Sequence, residues 1–338
     1  MSPSSCHIPL DAELLFLNHP GSYPEQTRKV VTVETHMSWV FLTDRYAYKL
    51  KKPIRYGPLD ARLVAMRHFY CAEEVRLNRR LAAGIYLAAV PLVMRHDGRL
   101  ELLGDGVAVD WLVKMLRLPH AQMLDRTIAE GRATASDMDR VAELLAHFHG
   151  ACRKATPRAQ AFSRRLAEII ARHEQELLSP QYELGEEVVR PVSQAQQRVL
   201  ARLASMIDQR PELGRVVEGH GDLRPEHVYL GEPVAIIDCI EFSRDLRTLD
   251  SLDEAGFLAL ECERLGAPAL GDAFLASYAH HSGQETACEL RHFYQSVRAV
   301  TRATVAIRHL GEPRYRESEK WRERALDYLR LARTHLPP

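Results

Sequence analysis

The hydrophobic and polar positions of the first third of the chain follow a strand pattern interrupted by one helical stretch. Residues 31–52 read VTVETH, WVFLTD and RYAYKLKK, with β-branched and aromatic residues between short polar breaks. Residues 60–83 switch to helical spacing. Two more apolar runs, AAVPLVM and VAVDWLVKML, follow, and the second ends at the Leu118-Pro119 break. This predicts a small antiparallel sheet around one helix over residues 28–117.

The rest of the chain has the pattern of long helices. The segment from Ser136 to His149 opens with a capping-type S-x-x-D sequence. A hairpin at 226–238, VYL and VAII around a turn, interrupts the charged amphipathic helices that are predicted over 158–178, 190–209, 250–265, 268–281, 286–310 and 315–335. The sequence predicts an α+β fold with a small β-rich N-terminal lobe over residues 1–117 and a large helical lobe over residues 118–338.

Composition narrows the class of protein. The 338 residues include 45 Lys plus Arg and 45 Asp plus Glu, so the net charge is zero and the basic surplus typical of nucleic-acid binders is missing. Six cysteines stand singly without a C-x-x-C pair, which argues against a zinc site or a disulfide framework. No apolar run approaches membrane-spanning length, and the N-terminus lacks the apolar core of a signal peptide. We expect a cytoplasmic enzyme with neither a nucleic acid nor a membrane as partner.

The hairpin brings polar side chains together. Gly231-Glu232-Pro233 forms its turn, so an antiparallel register that pairs Leu230 with Val234 also pairs Val228 with Ile236. This folding-back predicts that His227 and Asp238 lie at the same end of the hairpin.

Asp222 lies directly upstream of that hairpin end, within the stretch HGDLRPEHV. Two carboxylates with a third polar group between them suit an oxygen-seeking ion such as Mg²⁺ together with a general base. The alternative is a solvated turn whose aspartate caps backbone N–H groups. The second carboxylate, Asp238 at hairpin spacing, favours the chemical interpretation.

The sequence HGDL at residues 220–223, followed by Ile237-Asp238, resembles the catalytic and metal-binding pair of the aminoglycoside phosphotransferase family, whose usual form is HGDLHxxN followed by ID. The stretches ETHMSWVFLTDRYAYKLKKP, EEVRLNRRLA, CIEF and SVRAVTRATVAI resemble a bacterial branch of uncharacterised small-molecule kinases. The resemblance covers residues 28–310. It implies a two-lobed protein-kinase-like fold and transfer of the γ-phosphoryl group of ATP to a hydroxyl of a small molecule. Asp222 would be the catalytic residue and Asp238 a Mg²⁺ ligand.

The strand that ends in YAYKLKK fits this resemblance. Ala47 and Lys49 share one strand face, as a small residue under the nucleotide base and a lysine that reaches its phosphates require. Lys51 and Lys52 are interpreted as a solvated edge. In kinase-like folds a glutamate of the next helix orients the lysine, and Glu73 and Glu74 are the candidates. Matching EVRLNRRL to the family pattern selects Glu74.

The segment VDWLVKMLRLP is expected to be the last strand of the small lobe and the hinge. The resemblance implies that the backbone of Met115, Leu116 and Leu118 hydrogen-bonds the adenine edge. No glycine-rich loop precedes Lys49, since the corresponding stretch is ETHMSW, although Ser38 offers a hydroxyl. The absence of GxxxxGK[ST] excludes a P-loop kinase.

Two positions depart from the family pattern. His227 replaces a metal-binding Asn, and Arg224 replaces a His. Imidazole is a poorer Mg²⁺ ligand than an amide oxygen, so three alternatives stay open. Asp238 and the nucleotide phosphates hold the metal, aided by Glu226 or Glu241; or the site prefers Mn²⁺; or catalysis is lost and the protein is a nucleotide-binding pseudokinase with a regulatory role. A protein kinase is a weaker alternative, since residues 239–250 leave little room for an activation segment.

The sequence leaves the charge of the acceptor molecule open. An acidic stretch comprises Asp245, Asp250, Asp253, Glu254, Glu261 and Glu263. It predicts a cationic acceptor if it lies beside the acceptor pocket, and it is a solvated helix face otherwise. Arg298 and Arg302 are spaced i, i+4 and either pair with those acids or bind an anionic acceptor. His147 and His149 are expected to have a packing or surface role, because two residues apart on a helix they point to different faces.

Overall fold

The structure is a computed structural model, and it describes residues 8–154, 162–284, 287–311 and 318–337. The chain divides into two compact units. The first unit comprises the chain up to Met123 together with the later segment His227–Leu246. The second unit comprises Leu124–Glu226 together with the chain from Arg247 onwards. The lobe boundary between residues 117 and 118 stays a prediction. Positions 158–161, 286 and 315–317 of the expected helices lie outside the described residues.

The first unit contains helices α1 (Leu10–Leu17) and α2 (Val64–Asn78) and strands β1 (Val31–Glu34), β2 (Ser38–Leu42), β3 (Tyr46–Lys51), β4 (Arg55–Tyr56), β5 (Leu59–Asp60), β6 (Tyr86–Met94), β7 (Leu100–Leu102), β8 (Val107–Leu116), β10 (Val228–Tyr229) and β11 (Ala235–Ile236). Six of these strands form one antiparallel sheet in the order β1-β2-β3-β8-β6-β7. The predicted sheet with one helix between its strands is confirmed. Helix α1, which precedes the sheet, was not predicted.

Both faces of β3 are covered, which places its charged residues in a protein interior. Tyr48 and Leu50 are fully buried in a cluster that includes residues of α1, β6 and β8. Ala47, on the opposite face, packs in a second cluster with Cys71 and Val75 of α2. Because successive strand residues alternate faces, Lys49 and Lys51 lie on the α2 side with Ala47.

The second unit is mainly helical. The elements of the remaining chain are α3 (Leu124–Ala129), α4 (Ala135–Ala151), α5 (Phe162–Leu177), α6 (Glu186–Gln209), β9 (Val216–Glu218), α7 (Arg244–Arg247), β12 (Thr248–Asp250), α8 (Ser251–Arg264), α9 (Pro268–Ser282), α10 (Cys288–Arg308) and α11 (Glu319–Thr334). The core of the second unit is formed largely by apolar residues of α5, α6, α8, α10 and α11. β9 and β12 pair antiparallel.

The start of α4 differs from the sequence prediction. The N-cap is Thr134, whose hydroxyl accepts the Asp137 N–H while the Asp137 carboxylate accepts the Thr134 N–H. The predicted cap at Ser136 is therefore wrong by two residues. The T-x-x-D sequence forms a complete capping box that satisfies two N-terminal N–H donors. The helix therefore begins there and not at the overlapping S-x-x-D sequence.

Candidate functional site

The centre of the first unit is an ion-pair cluster around Lys49. The Lys49 Nζ donates to Glu74 Oε1 at 2.9 Å and to Asp238 Oδ1 at 2.6 Å. Strand β3 supplies the lysine, helix α2 supplies the glutamate, and the segment after β11 supplies the aspartate. Of the two candidates on α2, Glu74 is the buried one, and Glu73 pairs with Arg76 on the surface. The pairing of Lys49 with Glu74 that was expected from the sequence is present.

Helix α2 also fixes the backbone next to Asp238. Asn78 follows Glu74 by four residues and therefore lies on the same helix face. Its Oδ1 accepts the N–H of Cys239 at 2.9 Å, and the Tyr86 hydroxyl accepts the N–H of Asp238 at 3.1 Å. Asp238 has φ +64°, a left-handed conformation that non-glycine residues rarely adopt and that clusters at functional sites.

The hairpin has the register expected from its turn. Val228 pairs with Ile236, and the Ile237 N–H donates to the His227 carbonyl at 2.9 Å. As predicted, His227 and Asp238 lie at one end of the hairpin, with 3.5 Å between His227 Nε2 and Asp238 Oδ2. One imidazole nitrogen and one carboxylate oxygen therefore lie side by side.

The interpretation of Lys51 and Lys52 as a solvated edge is wrong. Lys51 is buried and its Nζ donates at 2.5 Å to both Glu74 Oε2 and Glu241 Oε1. Lys52 is also buried and pairs with Glu34 at 2.5 Å. The sequence suggested an exposed run of lysines because their acidic partners lie far away along the chain.

The cluster holds its members in their charged forms. Burial lowers the pKa of Lys49, but the neighbouring Asp238 and Glu74 carboxylates raise it more, to well above its usual value. Burial raises the pKa of Asp238, but Lys49 and then His227 lower it more, to well below its usual range. The pKa of Glu74 is likewise lowered, because Lys49 and Lys51 outweigh its burial. At neutral pH the site therefore presents an ammonium next to ionised carboxylates.

An apolar surface lies next to the cluster in the same unit. Ala47, Met115 and Tyr86 belong to one buried cluster, and the half-buried side chains packed against it are Val40, Leu42, Ala89, Trp111, Leu118, Tyr229 and Ile237. The surface combines a small residue of β3 with the end of β8 and the hairpin.

Two backbone N–H groups of the expected hinge already donate to carbonyl groups of the protein itself. The Leu116 N–H donates to the Ile85 carbonyl at 2.9 Å, and the Arg117 N–H donates to the Arg45 carbonyl at 3.0 Å. The Leu118 N–H has no acceptor in the part of the chain that the structure describes. Of these three amides, Leu118 has the one that a ligand can use without breaking an internal bond.

The loop between β1 and β2 is closed by side-chain bonds in place of glycine. The Thr35 N–H donates to the Ser38 carbonyl at 2.8 Å, and the Ser38 N–H donates to Thr35 Oγ1 at 3.0 Å. Ser38 is buried. The loop that precedes Lys49 is therefore a tight turn fixed by a threonine hydroxyl.

The second unit contains Asp222 in an arginine-rich setting. Arg224 Nε donates to Asp222 Oδ2 at 3.0 Å, and the Arg224 Nη1 donates to Glu226. Arg302 Nη1 lies 3.9 Å from Asp222 Oδ1. Arg224 thus orients the Asp222 carboxylate by a charge-assisted hydrogen bond.

A buried glutamate of α8 holds the backbone before Asp222. Glu254 accepts the N–H of His220 at 3.0 Å and that of Gly221 at 2.6 Å, and its Oε2 lies 2.9 Å from His149 Nε2. Burial raises the pKa of Glu254, but the bond to His149 and the nearby histidines lower it more, to about 2. Gly221 has φ +94°, which favours glycine in the motif.

Several of these positioning residues escaped the sequence analysis. Asn78 and Tyr86 act through single hydrogen bonds to the backbone around Asp238. Glu254 was counted only as part of an acidic stretch. His149 has the packing role that was expected, since it is buried between Glu254 and the Tyr278 hydroxyl. Of these four residues, only Asn78 carried a local signal, because it lies four residues after Glu74 on a predicted helix.

No family model matches the chain. Uncharacterised proteins of Mycobacterium tuberculosis (strain ATCC 25618 / H37Rv) and Mycobacterium bovis are 34% identical to it over 281 residues, which are 80% of this chain and 53% of theirs. The chain thus spans about half the length of the curated relatives it matches.

Solved structures match the fold across nearly the whole chain. A choline kinase from Cryptosporidium parvum Iowa II has a TM-score of 0.56 at 10% identity, covering 96% of both chains. A choline/ethanolamine kinase family protein from Mesorhizobium loti has a TM-score of 0.52 at 16% identity, covering 96% of this chain and 98% of its own. An aminoglycoside phosphotransferase, in a ternary complex with AMP-PNP and hygromycin B, has a TM-score of 0.53 at 12% identity, covering 96% and 99%.

These matches confirm the predicted fold class. The chain has the protein-kinase-like fold that choline kinases and aminoglycoside phosphotransferases share, with a small antiparallel-sheet lobe and a helical lobe. None of the helices in the described residues is both long enough and apolar enough to span a membrane.

Proposed function

We propose that the protein is an ATP-dependent phosphotransferase that acts on a hydroxyl of a small molecule. The observation that carries the proposal is the ion-pair cluster in which Lys49 bonds both Glu74 and Asp238. Phosphoryl transfer depends mainly on positioning and charge stabilisation, so a fixed lysine with a carboxylate behind it and a second carboxylate beside it is the machinery the reaction needs.

The adenine is proposed to bind the apolar surface of the first unit. Ala47, Leu42 and Ile237 offer small and aliphatic contacts. The Leu118 N–H is the proposed donor to the adenine edge, with Met115 and Leu116 continuing the surface. Lys49 then holds the phosphates, and Glu74 keeps the ammonium in place when nucleotide replaces Asp238 as its second partner.

The donor set suits a metal that arrives with the nucleotide. Among the described residues no group of three or more His, Cys, Asp or Glu side chains is arranged to hold a metal ion. Asp238, with 43% of its side chain exposed, and His227 supply one oxygen and one nitrogen. These two residues would hold a Mg²⁺ or Mn²⁺ ion, which would neutralise charge on the phosphates.

Asp222 is the proposed general base of the second unit. Its carboxylate is oriented by Arg224, and the backbone before it is held by Glu254. In this role Asp222 accepts a hydrogen bond from the acceptor hydroxyl and takes its proton as the phosphoryl group is transferred. No residue of the chain is required as a covalent nucleophile.

His227 favours a second candidate function, a nucleotide-binding pseudokinase with a regulatory role, because imidazole replaces an oxygen ligand next to Asp238. One experiment separates the two. Purified protein is titrated with ATP by calorimetry, with and without Mg²⁺ or Mn²⁺, and ATP consumption is measured against amino sugars, amino alcohols, nucleosides, sugar phosphates and hydroxy acids. Metal-dependent ATP binding with acceptor-dependent consumption supports the phosphotransferase. Metal-independent binding without consumption supports the pseudokinase, and no ATP binding contradicts both.

A further inference from the structure

Arg302 has unused hydrogen-bonding capacity next to Asp222. Its Nη1 lies 3.9 Å from Asp222 Oδ1 and its Nε lies 3.9 Å from Glu261 Oε1. Both separations exceed hydrogen-bond length. The Nε is buried and has no hydrogen-bond partner within the ranges that the structure describes. Buried donors in native proteins are nearly always paired, so this guanidinium is expected to bond a ligand.

Five of the six acids that suggested a cationic acceptor are paired inside the second unit. Each of the five has a basic partner within 2.9 Å. The pairs are Asp250 with Arg210, Asp253 with Arg298, Glu254 with His149, Glu263 with His335 and Glu261 with Arg264. Since their charges are neutralised in place, they do not provide the free negative field that a cationic acceptor needs.

A cavity lined mainly by arginines shares Arg264 with this region. Its volume is about 350 Å³, and it is lined by Arg264, Arg324, Asp327, Arg330, Leu331 and Thr334. Of its three guanidinium groups, Arg330 pairs with Asp327 and Arg264 with Glu261, so Arg324 is the one without a carboxylate partner among the described residues. Arg264 also bonds Glu261, the carboxylate near Arg302, so the cavity and Arg302 have a common neighbour.

We propose that Arg302 and the arginine-lined cavity bind an oxyanion of the acceptor, so that the acceptor is an anionic alcohol. This inference rests on the proposed function, because it takes Asp222 as the residue that receives the acceptor hydroxyl. Guanidinium groups bind phosphate and carboxylate through paired N–H donors, and both anions share this chemistry. A sugar phosphate or a hydroxy acid would satisfy the Arg302 Nε, whereas an amino alcohol would place a cation among arginines.

Anion binding can be measured without turnover. The probes are inorganic phosphate and acetate, each titrated by calorimetry into the full chain at constant ionic strength. Arg302→Gln is expected to weaken binding of the preferred anion about tenfold to a hundredfold, the range for hydrogen bonds to charged groups. Arg324→Gln, which changes a half-buried residue of the cavity, is expected to weaken it as well. Arg308→Gln is the matched control, because Arg308 lies on the same helix and pairs with Glu176 on the surface.

Equal phosphate and acetate affinities in Arg302→Gln and Arg308→Gln, or no binding of either anion to the parent, would overturn the inference. An anion held at the nucleotide site alone would survive the Arg302 substitution and so counts against it too. Phosphate binding without acetate binding identifies a phosphorylated acceptor, and the reverse identifies a carboxylate.

A matched acceptor series tests the same site during turnover. Glycerol, glycerol 3-phosphate, glycerate and ethanolamine differ mainly in charge, and each is offered with ATP and Mg²⁺. We expect consumption with an anionic member and a raised KM for it in Arg302→Gln, with the KM for ATP unchanged. Preference for ethanolamine overturns the inference and leaves the phosphotransferase intact. Arg302-dependent anion binding without any transfer supports the anion site and contradicts the proposed function.

Discussion

Lys51 donates a 2.5 Å hydrogen bond to the Glu74 carboxylate, which also accepts a hydrogen bond from Lys49. The two lysines lie two residues apart on β3 and so point to the same face. Lys51 bonds Glu241 with the same ammonium, whereas Lys49 bonds Asp238. The side chains of Lys51 and Glu241 are 4% and 10% exposed, while that of Asp238 is 43% exposed. Lys51 therefore belongs to the interior of the cluster and Lys49 to its accessible side.

This difference predicts opposite phenotypes for two alanine variants. Lys49→Ala is expected to weaken ATP binding about tenfold or more, because a charged hydrogen-bond donor to phosphate is lost. Lys51→Ala removes the ammonium that bonds Glu241 and the buried Glu74 carboxylate, and it is expected to lower the free energy of unfolding by about 3–5 kcal/mol. Calorimetric ATP titration and urea unfolding measure the two effects.

Lys52→Ala is the control for both variants, because Lys52 follows β3 directly and pairs with a half-exposed Glu34. It is expected to lower the free energy of unfolding less than Lys51→Ala does, because the Glu34 carboxylate that it leaves behind is half exposed and stays hydrated, and to leave ATP affinity unchanged. If Lys51→Ala weakens ATP binding and Lys49→Ala does not, the phosphate-binding role belongs to Lys51.

The small lobe was predictable because its signals are local. Alternation in VTVETH, WVFLTD and RYAYKLKK corresponds to β1, β2 and β3, and the helical spacing over 60–83 contains α2. The hairpin register followed from the Gly231–Pro233 turn alone, since antiparallel pairing propagates outward from a turn.

The charge environment was not predictable, because it depends on residues distant along the chain. Glu241, which forms an ion pair with Lys51, lies 190 positions away from it in the sequence. Arg298, which neutralises Asp253, lies 45 positions away on another helix. A run of lysines or acids has the same local pattern on a solvated face and in a paired interior. Only the tertiary structure decides between these environments.

Asp222→Asn tests the proposed base. The amide keeps the shape of the side chain but cannot take a proton, so turnover is expected to fall on the order of 10² to 10⁴. ATP affinity should stay nearly the same, because the nucleotide contacts proposed above belong to the other unit. Steady-state kinetics and ATP calorimetry check both parts. Turnover at the parent rate would remove Asp222 from the mechanism.

The lowered pKa of Glu254 predicts that the stability of the protein depends on pH. Its pKa is lowered from 4.5 to about 2 in the folded protein. A group with a lowered pKa stabilises the fold above its unfolded value, and the stabilisation is lost as pH falls through the folded value. The contribution is about 3 kcal/mol at neutral pH and disappears between about pH 5 and pH 2. Urea unfolding of the parent and Glu254→Gln at each pH measures it.

The difference in stability between parent and Glu254→Gln should therefore be largest at pH 7 and shrink as the pH approaches 2. Glu289→Gln is the control, since Glu289 is half exposed and pairs with Arg202 at the surface. A constant difference across the whole pH range would mean that Glu254 acts by packing and not by its charge.

Substitution of His227 separates the proposed weak metal site from a lost one. In a working phosphotransferase, His227→Asn replaces a nitrogen ligand 3.5 Å from Asp238 by an amide oxygen. Because Mg²⁺ prefers oxygen ligands, the Mg²⁺ concentration for half-maximal ATP binding should fall. The parent should be activated more strongly by Mn²⁺ than by Mg²⁺, since imidazole suits the softer ion better, and the variant should lose this preference.

His147→Asn, a change on the exposed face of α4, is the control and should leave both metal responses as they are. If the parent binds ATP equally well without metal and the asparagine brings no gain, the phosphotransferase assignment is wrong and the fold serves nucleotide binding alone.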